Sequence, residues 1–231
     1  MTDSVLRELA DDPSSRKRFF KTLGGAGAVS AFTVLLAACG DDDKENGSSR
    51  SSSSSTSSKQ DNASDLKIVN YALTLEYLEA DFYAKVIDSG IIKDKATVDL
   101  AKRFGETEQQ HVDGLKAAAK SLGGTPVKAP KTNFDDVLGG GQKRILATAA
   151  TVENLGAAAY LGEAANIKSR EILASALAIH TVEARHAAAL NILIGRGFGG
   201  KGGLEGAIPD GAFAKPMGMK DVLAAAKPFL A

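Results

Sequence analysis

The stretch HTVEARHAAAL, residues 180–190, sets an acid and an imidazole where a buried helix should show an apolar face. Glu183 and His186 stand three residues apart, and steps of three and four keep to one side of a helix. Followed in both directions, that stripe reads Ile172, Ala176, Ile179, Glu183, His186, Leu190, Leu193. EQQHVDGL, residues 108–115, lies in the middle of a second such stripe: Ala101, Phe104, Glu108, His111, Leu115, Ala118, Leu122. Two more stripes carry a central glutamate with a tyrosine two turns later. They are Leu73, Glu76, Ala80, Tyr83, Ile87 and Leu146, Ala149, Glu153, Gly156, Tyr160.

These stripes form an internal repeat. EYLEADFY (76–83) aligns with ENLGAAAY (153–160), and EQQHVDGL with EARHAAAL (183–190). Glu153 follows Glu76 by 77 residues and Glu183 follows Glu108 by 75, so the halves are nearly in register. The 3.6-residue period predicts helices over 65–88, 97–122, 142–166 and 168–196, and a short terminal helix over 221–229 lying on the outside. Gly90 and the pair Gly123-Gly124 supply stop signals. Residues 124–141 hold two prolines and four glycines and read as a loop with at most one short turn. At about 3.3 Å per extended residue that loop spans the length of a helix rising about 1.5 Å per residue. The expected fold is all-α: two antiparallel helix pairs joined by a long crossover between helices 2 and 3. The bundle is assigned to 65–198 and a C-terminal tail to 199–231.

A buried, unpaired carboxylate costs several kcal/mol, so four in one core must protonate or share cations. Four glutamates and two histidines suit a pair of divalent metals. Carboxylate oxygens bridge and cap hard cations, and a neutral imidazole takes a terminal position on each. Formal net charge is zero over 231 residues, which gives no electrostatic case for nucleic acid. The only cysteine is Cys39, so a disulfide framework or a cysteine-rich metal site is excluded.

Residues from about 65 to 230 resemble the ferritin-like family of exported, desiccation-related and rubrerythrin-like proteins. ALTLEYLEADFY (72–83) and VEARHAAAL (182–190) carry most of the likeness. The resemblance implies a ferritin-like four-helix bundle with two iron ions, and manganese suits the same donors. It implies the ligands Glu76, Glu108, His111, Glu153, Glu183 and His186. Reaction with dioxygen or peroxide would follow, as ferroxidase or peroxidase chemistry in oxidative stress. There is no Cys-x-x-Cys pair for an internal iron, so any reductant comes from an external donor. A non-catalytic envelope or stress protein with a structural or empty site is the alternative. A homodimer is compatible with the sequence, whereas a lipid anchor on each subunit argues against a storage cage.

Around this centre, Glu79 reads either as an extra ligand or as an exposed or partly buried acid. Tyr83 and Tyr160 read either as hydrogen-bond partners of the carboxylates or electron relays, or as core fillers. His180 lies off the stripe, on the solvent side or behind a ligand. Arg185, Glu106 and Glu163 are expected at the surface.

Residues 1–39 resemble an export signal. SRKRFFK (15–21) is basic, residues 22–38 are uncharged, and LAAC (36–39) resembles a bacterial lipobox. Lipid attachment at Cys39 would hold the domain on the outer face of the cell membrane. Retention of 22–38 as a spanning helix is the other reading. SRKRFFK also resembles a twin-arginine motif, with Lys17 in place of the second arginine. Residues 40–64, acidic and then serine-rich, are expected to be a disordered tether.

Overall fold

The structure, a computed structural model, describes residues 54–197, 206 and 213–231. The segment expected to be an export signal, with Cys39, and the first part of the serine-rich segment lie outside the described residues. Six α-helices and no strand occur among the described residues. They are α1 (Ser54–Ser89), α2 (Lys95–Ser121), α3 (Asp135–Gly139), α4 (Gly141–Glu163), α5 (Arg170–Leu193) and α6 (Met219–Ala226). The largest packing interfaces are α1 on α2 and α4 on α5, and the pairs meet through α1–α4 and α2–α5. This is an all-α bundle of two helix hairpins, as the stripes predict. No helix among the described residues is long and apolar enough to cross a membrane.

Local chemistry sets the helix ends. Asp94 caps α2 by accepting from the Thr97 amide at 2.8 Å, and Ser169 caps α5 by accepting from Ile172 at 3.3 Å. At the C-terminus of α2, Gly123 adopts φ 78°, which only glycine takes without strain. Its amide donates to Lys120 and that of Gly124 to Ala119, the paired bonds of a Schellman cap. The amides of Gly195 and Arg196 close α5 the same way. The repeat thus extends to the helix terminators.

Two findings differ from the sequence expectation. First, α1 begins at Ser54, so the end of the segment read as a tether is helical. Extending an existing helix adds one hydrogen bond per residue fixed, and nucleation is the costly step. The packed helix after Asp65 supplies that nucleus. Second, the terminal helix begins at Met219 and does not merely lie outside: Val222 and Ala226 are fully buried. The Met217 amide donates to the Ala158 carbonyl of α4 at 3.0 Å. Gly162 permits this approach, because a Cβ there would meet the Met217 carbonyl oxygen at 2.0 Å.

The crossover and the tail hold each other. Thr132 and Leu230 form an isolated antiparallel bridge, flanked by bonds from Asn133 to Phe229 and from Ala231 to Lys131. Phe134 is buried edge-on against Phe82 at 5.1 Å and stacks on Phe229 at 5.8 Å. Covered by α2, α4 and these segments, α1 is buried on more than one face, with Tyr71, Leu75, Leu78 and Phe82 all in the core.

Candidate metal centre

Each bundle helix sends one central glutamate inward, and Glu76, Glu108, Glu153 and Glu183 all have zero exposure. The two central histidines sit beside them. His111 Nδ1 lies 2.8 Å from Glu108 Oε2 and 3.2 Å from both Glu76 Oε2 and Glu183 Oε1. His186 Nδ1 lies 2.8 Å from Glu108 Oε1 and 3.2 Å from Glu153 Oε2. Two groups of donors that could hold a cation result: Glu76, Glu108, His111, Glu183 and Glu108, Glu153, Glu183, His186. In each, the donor atoms all fall within 4.8 Å of one another. The groups share Glu108 and Glu183, one from each half of the repeat.

The donor set fits a cation better than it fits hydrogen bonds. A ring nitrogen donates one proton at most, yet His111 Nδ1 faces three carboxylates. Glu108 Oε1 and both oxygens of Glu183 are buried with no hydrogen-bond partner, although His186 Nδ1 is close to the former. The nitrogen is near but not aligned as a donor.

Protonation shows the same strain of charge. Burial pushes Glu76 up to about 7 against the pull of His111, and it raises Glu153 against His186. Burial, and after it the neighbouring carboxylates, hold Glu183 well above the usual range. Glu108 is the exception: burial opposes its ionisation, but the two imidazoles outweigh burial and keep it at about 2. The carboxylates in turn overcome the burial of the histidines, raising His111 far above its ordinary value and His186 to about 9. Without cations, protons do the balancing.

The tyrosines bond across the repeat. Tyr83 of the first half donates to Glu153 Oε1 of the second, and Tyr160 of the second donates to Glu76 Oε1 of the first. In each glutamate the other oxygen, Oε2, faces a histidine. Phe104 stacks on His186 with ring centres 3.8 Å apart. Glu79 is buried, and its Oε2 has no partner. A Cβ on Gly156 would lie 2.7 Å from Glu183 Oε2 and 3.1 Å from Glu79 Oε1. The glycine that replaces Glu79 in the second repeat therefore makes the space that Glu79 and Glu183 occupy.

The profile of the ferritin-like domain matches residues 64–196. The chain belongs to the ferritin-like family. No curated protein matches it at a significant level. The match covers the whole of this ferritin-like domain's buried carboxylate–histidine cluster.

Residues outside the cluster divide cleanly. His180 is half-buried, with Nδ1 2.9 Å from the Ala157 carbonyl, and joins neither donor group. Arg185 and Glu106 are exposed. Glu163, expected at the surface, is instead buried, where it accepts from the Asn166 side chain at 2.9 Å and the Met219 amide at 3.2 Å. It anchors the start of α6. Asp65 was not singled out by the stripes. It is fully buried and accepts from the Lys168 and Ser169 amides at 2.8 and 2.7 Å. Its only sequence signal is an acid at the head of the apolar pattern. The aromatic stack of Phe104 was likewise hidden, although its position one turn before Glu108 is visible in the stripe.

Proposed function

We propose that this chain is an exported, membrane-tethered ferritin-like protein with a two-iron centre that reacts with dioxygen or peroxide. The observation that carries this reading is the pair of donor groups joined through Glu108 and Glu183. Glu76 with His111 would hold one ion, and Glu153 with His186 the other. Two ferrous ions, when bound, would supply two electrons to one oxidant molecule. The protein's own part is to position and to exclude. Tyr83 and Tyr160 each fix one oxygen of a terminal carboxylate, leaving the other for the metal. Burial keeps bulk water from the site. The unpartnered Oε2 of Glu79 supports a further carboxylate donor. Manganese suits the same ligands.

The test is metal analysis of the purified protein, then addition of ferrous iron with dioxygen or peroxide. About two metals per chain and oxidation that saturates at that loading are expected. Absence of metal, together with unchanged stability on Glu183→Ala, would sink the centre. A structural metal site is the second reading. It is favoured by the absence of any cysteine pair to deliver electrons, and two inert bound metals would establish it. Export and anchoring rest on the basic, apolar and LAAC segments ending at Cys39. Cys39→Ser should abolish lipid labelling and leave the precursor uncleaved, whereas normal processing would refute the anchor.

A further inference from the structure

The repeat supplies an internal control for the molecular surface. Each outer position of α2 has a counterpart on α5, 75 residues on, as Glu108 has in Glu183. The outer face of α2 is charged: Asp99, Lys102, Arg103, Glu106 and Asp113 are all exposed. Their counterparts on α5 are Ala174, Leu177, Ala178, Thr181 and Ala188, and none carries a charge. All but the half-buried Ala188 are exposed, and Leu177 keeps 45% of its surface in solvent. The stripe runs on one more turn to Ile192, which is 54% exposed. Between Ala174 and Ile192 the face carries one charge, Arg185, at its edge. A helix that is apolar on both sides belongs against a neighbour on both sides. Leucine and isoleucine left in solvent along one stripe mark a contact surface.

We propose that this face of α5 is where two copies of the chain pair, helix against helix and antiparallel. The proposal goes beyond the metal centre and does not depend on it. In a two-fold interface a patch meets its own copy, so a charged patch meets like charge. The α5 face has no charge at its middle, where Thr181 and Ala184 stand. The side chains also match by size. With the axis between Thr181 and Ala184, Leu177 meets the partner's Ala188 and Ile192 meets the partner's Ala174. Each large side chain then faces a small one. In a parallel pair Leu177 would meet itself and the alanines would leave gaps. A membrane surface is the poorer match, because a helix lying on one is rich in lysine and arginine on its polar side. Area sets the strength. From Ala174 to Ile192 the helix rises about 27 Å, and its face is about 10 Å across. The patch is therefore on the order of 300 Å² per copy, below the roughly 800 Å² of a standard interface. The pair is a weak one, with a dissociation constant on the order of 10–100 µM.

Sedimentation equilibrium of the purified protein, from about 1 µM to about 1 mM, tests the pairing. The parent should pass from monomer to dimer across that range. Leu177→Lys should stay monomeric throughout and keep the parent's thermal melt, because Leu177 is exposed. Leu177→Lys combined with Ala188→Glu in one chain should pair again, at least tenfold more tightly than Leu177→Lys alone. The antiparallel register sets each new lysine against the partner's new glutamate, whereas within one chain the two lie three turns apart. A parent that is monomeric throughout would overturn the proposal, and so would a Leu177→Lys variant that still pairs. A double variant no tighter than the single one would overturn the register and the proposal with it. A monomeric parent that sediments with phosphatidylglycerol vesicles, and loses this with Leu177→Lys, would give the face to a membrane instead. A monomeric parent that Leu177→Lys destabilises would give it to the chain's own residues 198–205. Either result refutes the pairing.

Discussion

Gly156 shows how much one missing methyl can matter. A glycine inside a helix is about 1 kcal/mol worse than alanine by propensity, so Gly156→Ala should on that ground stabilise α4. The added Cβ, however, would meet Glu183 Oε2 at 2.7 Å. That oxygen ends a flexible side chain and can move, so the fold should survive. Glu183 belongs to both donor groups, and its displacement should weaken metal binding by about tenfold or more. Circular dichroism with metal titration checks this: a helical, unchanged melt with lower affinity is expected, and wild-type affinity would contradict it. The six central donors were legible in the sequence because an inward stripe allows only one position every three or four residues. Glu79 was half legible. Its inward direction follows from the period, but the room for it depends on Gly156, a residue on another helix.

At the level of helices, caps and anchors were the least legible part. Asp65 lies in α1, yet it satisfies two amides at the start of α5, more than a hundred residues away. Glu163 does the same for Met219 across the loop before α6. A helix period says which face is inward and nothing about which distant terminus needs an acceptor. This is why Glu163 looked like a surface acid. Asp65→Ala should leave both amides without that acceptor and cost about 1–3 kcal/mol. Thermal melting should show a midpoint several degrees lower, with metal stoichiometry retained. An unchanged midpoint would mean that water takes over the role. The helix pairs and the crossover could be read because each rests on a long periodic run or a glycine-proline break. The early start of α1 could not, since serine-rich sequence has no apolar period and becomes helical only by continuation.

For the whole molecule, the carboxylate cluster makes stability depend on pH in a definite direction. In the metal-free protein, Glu76 titrates at about 7, above its unfolded range, and His186 at about 9. Glu183 and Glu79 are raised further. The folded state therefore keeps protons that the unfolded chain releases, and stability falls as pH rises from about 5 to 9. Glu108, held at about 2, works the other way, but its contribution changes only below the unfolded carboxylate range. Metal binding needs ionised carboxylates and neutral imidazoles, so affinity rises over the same interval. The gap in melting temperature between loaded and metal-free protein should widen from pH 5.5 to 8. A metal-free protein that grows more stable over that range would refute the assignment.

The exchanged tyrosines bear on how such a chain is put together. Tyr83 serves a carboxylate of the second half and Tyr160 one of the first, so neither hairpin supplies the hydroxyl donor for its own central glutamate. A single hairpin would be a half-built device, left with an acid whose hydroxyl donor is elsewhere. Two identical hairpins, however, would complete each other by symmetry. The chain therefore carries, as one polypeptide, two halves that complete each other as a symmetric pair would. Glu79, Gly156 and Phe104 mark where the halves differ.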